Sequence, residues 1–143
     1  MRIIIAGSRT FRNYKVVRSV MDDFFNLYRK IKPDFDSWNK EIISGCAIGA
    51  DELGERYAEE HNIKLTTMPA NWDLYGKGAG FIRNREMAKY ASQDKTGVLF
   101  AFWDGESNGT KNMIENAQEY GLDIYVIPAK YADKYINHMK GVL

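Results

Sequence analysis

The chain has 143 residues, which suits one domain and leaves little room for a second. A content of 45% hydrophobic and 27% charged residues supports a packed core under a solvated surface and excludes a fibrous or disordered chain. With 20 basic and 19 acidic side chains the net charge is only +1, which argues against a partner held mainly through a nucleic-acid backbone.

In chain order, Ile3 to Ala6 is a β-branched run halted by Gly7-Ser8-Arg9, and it predicts a buried strand ending in a tight loop. From about Tyr14 to Ile31, the apolar side chains Val17, Val20, Met21, Phe24, Tyr28 and Ile31 follow helical spacing, with Asn13 as the expected cap. Lys32 to Lys40 reads as a loop around Pro33, pinned to the body by Phe35 and Trp38. Glu41 to Ser44 is a second short strand, stopped by Gly45. A helix from about Ala50 to His61 and a strand from Ile63 to Thr67 follow. Met68 to Gly80 reads as a long loop, Phe81 to Ala91 as a helix and Val98 to Trp103 as a near-continuous apolar strand. After the loop Asp104 to Asn108, a helix covers Thr110 to Tyr120, with Gly121 placed to end it. Ile124 to Ile127 is the last strand, closed by Pro128, and an amphipathic helix is expected over about Tyr131 to Met139.

Strands and helices alternate throughout, and the strands read as apolar on both faces. That pattern predicts an α/β fold: a Rossmann-like three-layer sandwich with a mainly parallel five-stranded sheet, residues 1–143 forming a single domain. The first apolar run is too short for a signal segment or a membrane span. The lone cysteine, Cys46, excludes an internal disulfide and a thiolate metal cluster. Both features lead to the expectation of a cytoplasmic protein without a membrane partner.

In an open parallel sheet, ligands sit beyond the carboxyl ends of the strands. The segments expected there are Gly7-Ser8-Arg9, Gly45 to Asp51, the glycine-rich loop with Trp72, and Asp104 to Thr110. Ser107-Asn108-Gly109-Thr110 opens a helix, where free N–H groups and the helix dipole favour a phosphate; Ser107 or Asn108 also suits simple capping. Gly45, Ala47 and Gly49 shape a strand–turn–helix loop that lacks the Gly-Lys-Ser/Thr of a P-loop. Asp51 in that loop either accepts from a ligand hydroxyl or simply favours its own helix start. Arg9 and Arg83 are the arginines best placed for bidentate anion contact. Trp72 either stacks on a base or anchors its loop. Cys46 reads as a small buried thiol, and His61 and His138 lack ligand spacing. A magnesium ion shared by Asp51 and Asp104 is a minor alternative, so neither a metal nor a cofactor is expected.

Taken together these segments, with Ala79-Gly80-Phe81-Ile82-Arg83-Asn84-Arg85-Glu86-Met87, resemble the YspA-like branch of the SLOG superfamily over residues 3 to about 127. The resemblance implies a Rossmann-like fold, a bacterial or phage source, a nucleotide or nucleotide-derived ligand, and a homo-oligomer. The related LOG phosphoribohydrolases carry an Arg-Lys-x-x-Met segment, which Arg83 to Met87 matches except that Asn84 replaces the lysine. They also carry Pro-Gly-Gly-x-Gly-Thr-x-x-Glu. Gly109-Thr110 match part of it, but Met113 stands at the glutamate position, and Glu115 lies about 200° further round the helix. Gly45 to Asp51 further resembles the Gly-x-Ala-x-Gly-x-Asp loop of DprA.

The reading that follows is a binding or sensing domain for a phosphate-bearing, nucleotide-type small molecule. One alternative is a nucleotide-processing enzyme that cleaves an N-glycosidic bond. Arg83 would hold its phosphate, with Asp51, Asp104, Glu106 or Glu115 as acid or base. A second alternative is a DprA-like module for single-stranded nucleic acid. The near-neutral charge and the lack of an aromatic–basic stripe weigh against it.

Overall fold

The computed structural model describes residues 1–129, so the helix expected over Tyr131 to Met139 lies outside the described residues. Its strands are β1 (Arg2–Gly7), β2 (Glu41–Ser44), β3 (Lys64–Thr67), β4 (Gly97–Trp103) and β5 (Asp123–Pro128). Its helices are α1 (Tyr14–Ile31), α2 (Ala50–Glu60), the single turn α3 (Trp72–Tyr75), α4 (Ala79–Ser92) and α5 (Asn108–Glu119). The five strands form one sheet in the order β3-β2-β1-β4-β5, every pair parallel. The chain works outward from β1 to β3, then jumps back across to β4. The switch point therefore lies between β1 and β4, where an open α/β sheet leaves a crevice.

Side-chain alternation along the central strands divides the core into two halves. Ile3, Ile5, Ile42, Val98, Phe100 and Phe102 face α1 and α2. Ile4, Ala6, Ile43, Leu99 and Ala101 face Met87, Ala88 and Ala91 of α4 and Met113 and Ala117 of α5. These are the three layers expected from the alternating pattern. Helix α1 buries Val17, Val20, Met21 and Phe24 as its spacing predicts, whereas Ile31 at its end is 59% exposed. Phe35 is fully buried, and Trp38 packs beside it, so they do pin the loop before β2.

Several local expectations are corrected. Strands β3 and β5, the two outer strands of the sheet, are mostly exposed or half-buried among the described residues, and are not buried on both faces as their apolar sequence suggested. The loop from Met68 to Gly80 contains α3, capped by Asn71, whose Oδ1 accepts from the Leu74 N–H at 3.1 Å. Asn13 stands at the cap position of α1 but makes no side-chain cap bond. Cys46 is exposed rather than buried, in a left-handed turn at φ 63° after β2.

The close approach of two loops positions the site. Gly49 has φ 85°, and a Cβ there would lie 2.5 Å from the carbonyl oxygens of both Ser8 and Arg9. A side chain is thus opposed by conformation and by immovable backbone. Gly105 has φ 83° but open space around it. Gly49→Ala is expected to destabilise the protein by about 2–4 kcal/mol. Gly105→Ala should cost about 1 kcal/mol, the conformational part alone. Urea denaturation of both variants separates the two contributions.

Candidate functional site

Two adjoining cavities open at the carboxyl edge of the sheet. The inner one is a throat of about 70 Å³ between the end of β1, the start of α2, and helices α4 and α5. Gly7, Arg9, Ala47, Asp51, Arg83, Asn84, Ser107, Gly109 and Thr110 line it, over a floor of Ala6, Met87 and Met113. The outer one is a chamber of about 410 Å³, walled by Gly45, Cys46, Ile48, Pro69, Ala70 and Trp72. Arg9, Ala47 and Arg83 belong to both, so the cavities are continuous. The throat is small and polar, while the chamber is of ligand size.

Each wall has a physical origin. Ser107 caps α5 by accepting from the Thr110 N–H at 3.5 Å, which leaves the open first turn of the helix at the throat. An ideal Cβ at Gly109 meets nothing within 4 Å, so a side chain there would find open space beside the first turn. Arg83 projects from α4 and donates to the Gly45 carbonyl. Its Nε donates to Asn84 Oδ1 at 3.0 Å. Asn84, 5% exposed, donates in turn to the Gly109 carbonyl at 3.1 Å and to Asn112 Oδ1 at 3.0 Å. With these partners Asn84 ties the guanidinium to the start of α5. Trp72 is 51% exposed. Its ring lies over Gly80, whose ideal Cβ would be 3.4 Å from the indole and 3.7 Å from an Arg83 nitrogen.

Eleven of the fifteen residues expected at the site line the two cavities, and Ser8, Gly49, Asp104 and Asn108 do not. Ser8 is 1% exposed, and its Oγ accepts from the Asp104 N–H at 3.0 Å, joining the loops after β1 and β4. Asp104 accepts from the Glu106 and Ser107 N–H groups, both at 2.8 Å, which folds its own loop and holds its carboxyl below the ordinary value. Gly49 permits the loop crossing, and Asn108 is exposed in the first turn of α5. The expectation missed Ile48, Pro69 and Ala70 of the chamber wall; only their position after strand ends could have signalled them. Glu115 is exposed and lines neither cavity. Met113, 1% exposed, puts a thioether on the throat floor.

Asp51 is the buried acid of the throat, at 5% exposure. Desolvation drives its pKa up to about 6, against the hydrogen bond from the Ala47 N–H at 3.2 Å and the charge of Arg83. Partial desolvation, with Glu55 and Asp51 nearby, also holds the Cys46 thiol above its ordinary value, so it is not an activated nucleophile. A separate cavity of about 650 Å³ lies at the opposite edge of the sheet. Its polar groups are largely satisfied within the protein: Tyr57 donates to Asp22, Lys40 to two carbonyls, and Arg29 pairs with Asp36. Among the described residues no group of three or more His, Cys, Asp or Glu side chains is arranged to hold a metal ion. No helix among them is long and apolar enough to cross a membrane.

Comparison with known proteins gives two matches. The sequence model of YAcAr, described as the YspA, cpYpsA-related SLOG family, matches residues 1–75, which include Gly7 to Arg9, Gly45 to Asp51 and Trp72. The Gene 61 protein of Mycobacterium phage D29 is 30% identical over 128 residues, covering 86% of this chain and 93% of that protein. No solved structure matches.

The raised pKa of Asp51 has a consequence for stability. Its folded value lies above the unfolded one, so the protonated acid contributes stability that is fully present below about pH 4 and lost as pH rises through about 6. A shift of this size corresponds to roughly 2–3 kcal/mol. Asp51→Asn should therefore raise the melting temperature relative to wild type at pH 8, and the difference should vanish near pH 4. Thermal melts across that range check it.

Proposed function

Because the chain belongs to the YspA, cpYpsA-related SLOG family, we propose that its paired cavities bind a phosphate-bearing, nucleotide-type small molecule. The single observation that carries this reading is the continuity of the two cavities through Arg9, Ala47 and Arg83. A throat of about 70 Å³ has room for little more than one phosphoryl group, and it meets two arginines and the open start of α5. The chamber of about 410 Å³ beside it takes a nucleoside, with the exposed Trp72 face available for a base and Ile48 and Pro69 closing the apolar side.

Binding or sensing is favoured over N-glycosidic cleavage. The throat holds Met113 where a phosphoribohydrolase would hold glutamate, Glu115 is exposed, and Asp104 is committed to its own loop. Release of free base from nucleoside monophosphates should accordingly be weak or absent at enzyme concentrations well below substrate. Chromatography of the reaction products checks this, and robust turnover would overturn it.

Ligand-dependent stabilisation tests the binding itself. At about 100 times its dissociation constant a ligand stabilises the fold by ~2.7 kcal/mol. For a domain of this size that raises Tm by roughly 6–12 °C. In a panel of nucleotides scanned by thermal shift, Arg83→Ala should shrink the response to the best ligand. Gly109→Val should shrink it more, because the open space beside the first turn of α5 is then filled. The same space allows the Gly109→Val variant to fold without ligand. A panel that shifts nothing in wild type, or variants that respond as wild type does, would refute the reading.

A further inference from the structure

Asp51 shares the throat with the proposed anion, and the reading above gives it no task. Its carboxyl is 5% exposed, and Oδ2 accepts from the Ala47 N–H at 3.2 Å. Arg83 lies on the other side of Gly45. An ideal Cβ on that glycine would be 2.7 Å from Arg83 Nη1 and 3.0 Å from Asp51 Oδ2. The two groups thus flank one backbone position, yet Arg83 is committed to the Gly45 carbonyl and closes no ion pair with Asp51. Arg9 reaches the throat from the loop after β1. Glu55 adds negative charge from the next turn of α2, and Cys46 lies in the same loop as Gly45. The first turn of α5 offers only the neutral Ser107, Gly109 and Thr110.

A second negative charge brought beside a carboxyl that is only 5% exposed opposes its ionised form, because a desolvated pair is weakly screened. Resting on the anion-site reading, we propose that Asp51 is protonated whenever the throat holds an anion, so that anion binding takes up one proton. The neutral acid donates a hydrogen bond to the bound oxyanion, where the carboxylate would repel it. Asp51 thereby becomes a specificity-determining residue: it favours a group rich in acceptor oxygens and makes occupancy fall as the medium turns alkaline. Burial has already raised the pKa of this acid to about 6, so the proton is within reach near neutral pH.

Sulfate is the probe of choice, since it is a tetrahedral dianion that does not itself titrate between pH 5 and 8. Its affinity for the full chain is measured by calorimetry at constant ionic strength. In wild type the sulfate dissociation constant should rise by about tenfold for each pH unit above pH 6.5. Asp51→Asn, a permanent donor without the charge, should bind sulfate with little pH dependence and with affinity near that of wild type at pH 5.5. Carboxyl carbon NMR on wild type gives a readout independent of the variant. Saturating sulfate should move the Asp51 titration midpoint upward by about two units or more, the shift that a tenfold slope sustained to about pH 8 requires. Sulfate bound with a flat pH profile, or an unmoved Asp51 midpoint, overturns the proton coupling and leaves the anion site standing. Loss of sulfate from a folded Asp51→Asn variant at every pH also overturns it, because an ionised acceptor would then be needed. If sulfate, inorganic phosphate and nucleoside monophosphates bind neither protein at any pH, the anion-site reading falls, and this inference with it.

Discussion

The site depends on one buried serine and the backbone around it. The Ser8 N–H donates to the Phe102 carbonyl at 2.9 Å, and its Oγ accepts from the Asp104 N–H at 3.0 Å. Its carbonyl accepts from Phe11 at 3.1 Å and from Ala50, at the start of α2, at 3.3 Å. One residue thus fastens β1 to the end of β4 and to the first turn of α2. The crevice at the switch point acquires fixed walls because these polar groups, buried away from water, must find partners in one another. Gly49 is the steric condition for that knot, since only a residue without Cβ lets the loop pass under the Ser8 and Arg9 carbonyls.

A second chain of contacts fixes the far wall. Asn84 holds Arg83 on one side and the Gly109 carbonyl and Asn112 on the other. The guanidinium and the first turn of α5 are therefore presented together and do not need to be gathered by a ligand. Preorganisation of this kind lowers the cost of ordering side chains on binding. It also carries an internal cost, because Asp51 is desolvated in the same throat and its ionised form is penalised. A buried acid with its pKa raised to about 6 therefore shares the throat with the guanidinium of Arg83.

Much of the site was legible because strand-ending glycines and helix-opening polar residues mark the carboxyl edge of a parallel sheet. What could not be read locally was the division of labour among them. Ser8, Gly49 and Asp104 are of the residue types that contact ligands, but each is consumed by a loop-to-loop contact with a residue distant in sequence or by its own turn. Asn84 lines the throat yet spends its polar atoms on positioning. Cys46 departs from the general tendency of free cysteines to be buried, because it sits in the turn between β2 and α2 that walls the chamber.

The sequence by itself determined the alternation of strands and helices, the apolar faces that separate the two core layers, and the absence of an internal disulfide. These follow from periodicity and residue type, which act over a few neighbouring positions. Only the tertiary structure decided that β3 and β5 are edges, that Arg83 meets Gly45 across 38 positions, and that Asp51 is desolvated beside that glycine. Strand order, loop crossing and burial are set by which distant segments share the limited apolar surface of one sheet, and that competition has no local signature in the chain.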